Sequence, residues 1–299
     1  MGVDIFRDGN FSWNVLGTMS INRNKLVKLN SNLEYQLGPA VGYDKTYPSM
    51  FMEGMPLGIF WGAQTDGIYS TWEEANNSGI DGAAPGEIKY INHHTDLDSE
   101  GNPLAIQQIT HEDYVQIGDP NPDFIASITN SFAFKNWDLS FLIIGQKGGD
   151  VLWVDSWPLA NMGKSTNVHS EAFAGAWKSP FVVDASGNVI DNPGVANMNG
   201  AGYPAPLMDP GNRAIVSDRQ IYDGSFIKLK NVNFGYNFKF KKNRSMRLYL
   251  SGSNLFIISN YPGYDPEVQA FNRDPQRRGI DFGAYPGTRN YVLGLKFNY

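Results

Sequence analysis

Cysteine is absent from this 299-residue sequence, which excludes a disulfide framework and any thiolate metal site. A basic surplus is missing too: 30 acidic residues outnumber 24 Lys and Arg, for a net charge of -6, and the basic residues are scattered. Nucleic-acid binding needs a concentrated basic footprint and is set aside. No run approaches the ~18 apolar residues of a membrane helix. The start, Met1-Gly2-Val3-Asp4-Ile5, lacks the basic and apolar regions of a signal peptide, so any export signal is expected elsewhere. A mean hydropathy of -0.35 would ordinarily read as soluble. That reading is unsafe, because a membrane β-strand alternates lipid-facing apolar residues with lumen-facing polar ones and is bland on average by construction.

What the sequence does hold is 18 Phe, 15 Tyr, 7 Trp and 32 Gly, a mixture that favours strands and turns. Phe11, Trp13, Val15, Gly17, Met19 and Ile21 alternate with Ser12, Asn14, Leu16, Thr18, Ser20 and Asn22, a period-2 strand with Leu16 out of place. A polar turn at Asn22-Arg23-Asn24-Lys25 and a weaker strand to about Leu37 follow. Phe51 to Trp61 and Gly67 to Trp72 are further candidates. The clearest hairpin sets Phe124, Ala126, Ile128, Phe132 and Phe134 before a tight Lys135-Asn136 turn, then Trp137, Leu139, Phe141 and Ile143 opposite Asp138, Ser140 and Gln146.

Between about residues 161 and 220 periodicity gives way to Gly, Pro, Asn and Asp. After it, Val232, Phe234, Tyr236, Phe238 and Phe240 alternate with Asn231, Asn233, Gly235, Asn237 and Lys239. A Lys241-Lys242-Asn243-Arg244 turn leads to Met246, Leu248 and Leu250 against Arg247, Tyr249, Ser251 and Ser253. The chain closes with Tyr291, Leu293, Leu295, Phe297 and Tyr299 against Asn290, Gly294, Lys296 and Asn298. No helix of useful length is expected; Trp72-Glu73-Glu74-Ala75 supports a turn or two.

The expected fold is all-β: about nine strands of the C-terminal part of a large antiparallel transmembrane β-barrel, spanning residues 1–299. Turns near residues 23, 63, 135 and 242 fall on one side and long loops on the other, so the chain ends on the short-turn side, as a periplasmic C-terminus requires. A soluble secreted carbohydrate-binding β-sandwich also buries one face and wets the other, and is the alternative. Two features favour the barrel. The polar face is Asn, Ser, Gly and Thr with few charges, suited to a hydrated lumen, and aromatics sit near strand ends as an interfacial girdle does. The terminal strand Tyr291, Leu293, Leu295, Phe297 and Tyr299 also has the form of a barrel-assembly signal.

At this point the residues resemble a family. Phe11-Ser12-Trp13 with Asn22-Arg23-Asn24-Lys25, and Pro56-Leu57-Gly58-Ile59-Phe60-Trp61-Gly62 with Thr65-Asp66-Gly67-Ile68-Tyr69, are similar to segments of SusC/RagA-type TonB-linked outer-membrane proteins. So are Pro85-Gly86-Glu87-Ile88-Lys89-Tyr90, Ile117-Gly118-Asp119-Pro120-Asn121-Pro122-Asp123-Phe124 and Asp223-Gly224-Ser225-Phe226-Ile227-Lys228-Leu229-Lys230-Asn231-Val232. Ser253-Asn254-Leu255-Phe256, Tyr261-Pro262-Gly263-Tyr264-Asp265-Pro266-Glu267 and Tyr285-Pro286-Gly287-Thr288-Arg289 complete the series in the family's order. The resemblance implies outer-membrane import of oligosaccharides or peptides, energised through TonB and assisted by a SusD-like lipoprotein. The expected contacts are therefore lipid, TonB, that lipoprotein and a glycan or peptide. Neither plug, TonB box nor signal peptide is read in the chain. Nine strands fall well short of the ~22 of a plugged transporter, so a partial barrel is expected.

Chemistry at single residues is sparse. Asp96-Leu97-Asp98-Ser99-Glu100-Gly101 places oxygen ligands at the first, third and fifth positions with Gly at the sixth, as in calcium loops. The twelfth position is Gln107, which moves the closing acid to Asp113. Calcium held by Asp96, Asp98, Glu100 and Asp113 is one expectation, and a solvated acidic loop is the other. His93, His94 and His111 are not expected to share a metal, because adjacent side chains on a strand point to opposite faces. Gly145 to Gly149 lacks the Lys-Ser/Thr ending of a phosphate loop, no nucleophile elbow is found, and no enzyme is expected. Trp153, Trp157, Trp177 and Tyr203, in loops, are candidates for stacking on sugar rings, with loop packing as the alternative.

Overall fold

Strict alternation puts every second side chain on one face of a pleated strand, and long alternating segments joined by tight turns pair with their sequence neighbours. The computed structural model describes residues 2–30, 33–42, 46–160, 167–177, 181–183, 186, 189–191, 202–205, 215–241, 244–267, 270–271 and 274–298. Among these, one seven-stranded sheet dominates. Its strands are β1 (Gly2–Asp8), β2 (Phe11–Ser20), β3 (Pro122–Phe134), β4 (Trp137–Gly148), β5 (Phe226–Lys239), β6 (Ser245–Ser259) and β7 (Asn290–Asn298). Each pairs antiparallel with the next in chain order.

The connections sort by length. Gly9-Asn10, Lys135-Asn136 and residues 240–244 are short and lie on one side. Both two-residue turns open at positive φ, 44° at Gly9 and 53° at Lys135, which matches the twist of the flanking strands. Residues 21–121, 149–225 and 260–289 all cross on the opposite side. Asn298 pairs with Ser245, so the end of β7 falls on the short-turn side.

The sequence expectation needs correction at its N-terminal third. The strands expected up to Leu37, from Phe51 to Trp61 and from Gly67 to Trp72 are not sheet-spanning. They contribute short pieces to a four-stranded sheet (Tyr35–Leu37, Ser49–Met52, Ile59–Gly62, Val115–Gly118) and a two-stranded one (Thr65–Ile68, Ile88–Tyr90). The turns expected near residues 23 and 63 lie inside the first long connection rather than in hairpins. β1 was not anticipated, because a register shift between Asp4 and Phe6 breaks its alternation. The patch at Trp72 is a seven-residue helix, Trp72–Ser78, started by the Thr71 side chain accepting from the Glu74 amide and ended at Gly79 with φ 67°. Among the described residues no helix is long and apolar enough to cross a membrane.

The two faces of the sheet differ as the alternation requires. One carries Phe11, Trp13, Phe132, Phe134, Trp137, Leu139, Phe141, Phe234, Tyr236, Leu248, Leu250, Leu293 and Leu295, matched strand to strand by the pairing register. Its aromatics gather toward the short-turn side: Trp137 stacks on Phe234 at 5.0 Å and meets Tyr236 at 4.5 Å, and Tyr236 meets Phe238 at 4.7 Å. Asn130, an amide on this face, accepts from Trp13 Nε1 at 3.0 Å and so is not left bare among apolar neighbours.

The hydrophobic core lies elsewhere. Val41, Phe60, Leu152, Val216 and Ile280 are buried together with Ile117, Val154, Ile221, Phe271 and Phe282 around them, all from the long connections and none from the seven strands. A three-stranded sheet, Ile221–Asp223 with Asp150–Trp153 and Ile280–Asp281, ties the second and third connections into this unit.

Candidate functional site on the polar face and its loop crown

Ser12, Asn14, Thr18, Ser127, Ser131, Ser140, Asn231, Asn233, Asn237, Ser251 and Ser253 share the polar face. Two ion-paired clusters among the described residues stand on it, one near each end. Toward the short turns, Asp138 of β4 receives Arg247 Nε of β6 at 3.1 Å and Asn237 Nδ2 of β5 at 2.8 Å, so one carboxylate links three strands. Gly235 makes room for this: a Cβ there would stand 2.7 Å from the guanidinium. Arg247 also lies over the Tyr249 ring at 5.2 Å, and that ring covers Gly294 of β7, where a Cβ would meet it at 2.3 Å.

Toward the long connections, a one-residue bulge at Lys230 returns Lys228 to the polar face. Lys228 is 4% exposed. Its ammonium donates to Asp265 at 2.9 Å and to Glu267, and Lys230 reaches Glu267 at 3.4 Å. The segment 260–289 is thereby pinned against the sheet. Opposite the bulge Asn254 takes φ 52°, a left-handed conformation that Asn tolerates better than other side chains, and donates to the Thr288 carbonyl at 3.1 Å. Asn254→Ala is expected to destabilise the protein by about 1–2 kcal/mol and Asn254→Gly by less, since glycine keeps the backbone and loses only the hydrogen bond. Urea unfolding of the two variants in detergent ranks them; equal costs would mean that the backbone conformation contributes nothing.

Above the sheet Trp153, Tyr222 and Tyr261 form an aromatic triangle, edge to face at 5.8 to 6.1 Å, with His169 on the far edge of Trp153. Tyr261 donates to the buried Asp281 at 2.6 Å, and burial followed by this carboxylate pushes its phenol strongly upward. Burial raises Asp155 as well, with the Asp281 charge adding to it. A pocket of about 390 Å3 opens here between Trp153, Asp155, His169, Tyr264 and Asp281. A smaller one, about 50 Å3, lies between Trp157, Tyr203, Arg219 and Tyr222. Farther down, Asp150 is raised by burial, with Asp119, Asp223 and Asp123 nearby adding to it.

The four loop aromatics therefore part company. Trp153 lines the larger pocket, and Trp157 and Tyr203 share the smaller one. Trp177 is 8% exposed and packs on Gly86, where a Cβ would stand 2.9 Å from its ring, so it belongs to the interior of the loop unit.

The acidic loop is also rearranged relative to expectation. Asp96, Asp98, Glu100 and Asp113 do not converge on a common point. Asp98 accepts the amides of Asn102 and Glu100 at 2.9 and 2.8 Å, and these bonds, the Asn102 amide first, hold it below the usual carboxylate range. Asp113 is buried and accepts the amides of His93, His94 and Thr110 at 3.0, 2.9 and 2.8 Å. The terminal strand places Tyr291, Leu293, Leu295 and Phe297 opposite Gly252, Leu250, Leu248 and Met246 on the apolar face; Tyr299 lies outside the described residues.

Sequence reasoning missed both ionic groups. Part of the signal was present, since Asp138, Lys228 and Arg247 are three of the few charges on a face rich in amides and hydroxyls. Nothing in the spacing, however, paired residues as distant as Lys228 and Asp265.

A seven-stranded meander with one aromatic-girdled apolar face, one polar face and all long connections on one side has the construction of an outer-membrane β-barrel wall. No family model matches the chain. Among curated proteins, TonB-dependent receptor P3 of Formosa agariphila is 30% identical over 97% of the chain, and TonB-dependent receptor P26 of the same organism 27% identical over 98%. TonB-dependent receptor SusC of Bacteroides thetaiotaomicron is 25% identical over 60%. Among solved structures, one described as the RagAB peptide transporter superposes over 99% of the chain with a TM-score of 0.66 at 18% identity, which bears on the fold. Along nearly its whole length the chain is thus similar to TonB-dependent receptors of the SusC/RagA type, a class of outer-membrane proteins. It spans about 27% and 28% of the lengths of the first two relatives. These relatives are named as receptors and none as an enzyme.

Proposed function

We propose that the receptor containing this chain imports an oligosaccharide or a peptide across the outer membrane, energised through TonB and assisted by a SusD-like surface lipoprotein. The chain supplies the C-terminal part of the barrel wall. Its polar face lines the lumen, its long connections form the extracellular mouth, and its C-terminus is periplasmic. The observation that carries this reading is the sorting of connections: every short turn lies on one side of the sheet and every long one on the other. A soluble sandwich has no reason to segregate them in this way, whereas periplasmic turns and extracellular loops do so in outer-membrane barrels. The outer strands β1 and β7 each pair on one side only among the described residues. Lipid cannot satisfy such edges, so closure by further strands follows.

Fractionation of the full-length gene product tests the proposal, with heat-modifiable gel mobility as the readout for a barrel and uptake of labelled peptides and glycans as the readout for cargo. Recovery in the outer membrane with a heat shift, and loss of uptake of one cargo class on deletion of the gene, are expected. A soluble product without a shift would return the sandwich module to first place, and uptake untouched by deletion would remove import.

A further inference from the structure

We propose that His94, Asp96 and Glu112 form a site for a divalent transition metal, zinc being the best fit. One ligand atom of each lies within 4.8 Å of the others, the sole such convergence among the described residues. The site differs from the calcium loop that the sequence order of the acids brings to mind: of those acids it uses Asp96 alone and draws its other two donors from residues 94 and 112. It stands apart from the import reading and depends on no cargo.

The donors are held from beneath. Residues 93–94 and 110–113 are drawn together by the buried Asp113 carboxylate, which accepts three amides across the two segments. Asp96 is braced twice: its Oδ2 accepts the Gln108 amide at 2.7 Å, and its own amide donates to Gln107 Oε1 at 2.6 Å. His94 Nε2 and Glu112 Oε2 already stand 3.1 Å apart, close to the separation of two ligands on one zinc ion at about 2.0–2.2 Å from each. His93 turns the other way, to Gln64 Oε1 at 3.2 Å, so the site has a single imidazole.

The chemistry of the set selects the metal. Calcium takes six to eight oxygens, whereas an imidazole with two carboxylates and open positions suits zinc, nickel or copper. Charge points the same way. Where Asp66 and Glu74 approach each other, Lys89 stands between them, and where Asp265 and Glu267 do, Lys228 does. No Lys or Arg among the described residues forms an ion pair with Asp96 or Glu112, which leaves their charge for a cation from solution.

Calorimetric titration of the full receptor in detergent with zinc chloride, and separately with calcium chloride, decides the matter. Saturable zinc binding of one ion per receptor is expected, weakened about tenfold or more by His94→Ala and by Glu112→Gln, and unchanged by Asp98→Asn. All three side chains are exposed or half-exposed, so the variants should keep the heat-modifiable mobility of the parent. No saturable zinc binding, or zinc binding that survives His94→Ala, overturns the proposal. Calcium binding that requires Asp98 would overturn it too and restore the calcium loop.

Discussion

Lys228→Met is expected to cost the receptor about 3 kcal/mol, because it leaves two carboxylates facing each other against the sheet without the ammonium that holds them. The value lies at the lower end for a broken buried ion pair, since Asp265 and Glu267 keep some solvent contact and Lys230 stays within 3.4 Å of Glu267. The damage should be local as well as global. Segment 260–289 carries Tyr261 and Asp281 of the aromatic cluster and the Tyr264 rim of the larger pocket. Its release should appear as new protease cleavage within 260–289 on intact cells, beside a lowered urea midpoint in detergent. Neutralising all three partners together, Lys228→Met with Asp265→Asn and Glu267→Gln, should recover most of the loss, because no unpaired charge then remains. A triple variant as damaged as the single one would show that packing of the lysine stem, rather than charge, holds the segment.

Leu250→Arg should cost about 2–4 kcal/mol and lower the yield of heat-modifiable barrel, while Ser251→Arg, one residue along the same strand, should be nearly neutral. Leu250 sits between Phe234 and Leu293 on the apolar face and Ser251 between Asn233 and Val292 on the other. Leu250 is 51% exposed, so in a membrane it meets lipid. Leu250→Ala separates lipid from a packed interior. A protein core would lose about 2–5 kcal/mol to the cavity, whereas lipid fills the space and the loss should be well under that. A large cost for Leu250→Ala would place this face against protein, and a large cost for Ser251→Arg would put the polar face out of water.

The parts of the fold that were legible share a physical origin. Residues 231–240 and 246–253 alternate because one strand has to satisfy two solvents at once, and that demand is written residue by residue with period 2. Hairpins between such strands are local, so the Lys135-Asn136 turn could be read directly. The first long connection is illegible for the same reason. Residues 51–61 contain enough Phe, Met and Trp for a strand, yet Met50, Ile59 and Phe60 are apolar because they pack inside the loop unit, and a strand buried on both faces has no alternation to show. The length of Ser49–Met52 and Ile59–Gly62 betrays them only once their partners are known.

Site chemistry was less legible than fold. The sequence order of Asp96, Asp98, Glu100 and Asp113 pointed to a loop of convergent oxygens. Folding turns Asp98 and Asp113 toward backbone amides instead, because buried or turn-forming N–H groups need acceptors and a nearby carboxylate supplies one. It also brings His94 beside Glu112 across a connection that linear spacing does not describe.

By itself, then, the sequence determined the seven long strands save β1, the identity of their two faces, the side on which the chain ends and the family it resembles. The strands, their faces and that side rest on interactions between neighbours in the chain or on its alternating pattern, and the resemblance rests on the order of its motifs. Only the tertiary structure decided that the core lies in the long connections, that Lys228 fastens the third of them to the sheet, that Asp138 joins three strands, and which acids meet a histidine. Each of those depends on segments far apart in sequence meeting in space, where burial removes water as the competing partner and leaves charge and hydrogen bonding to be satisfied within the protein.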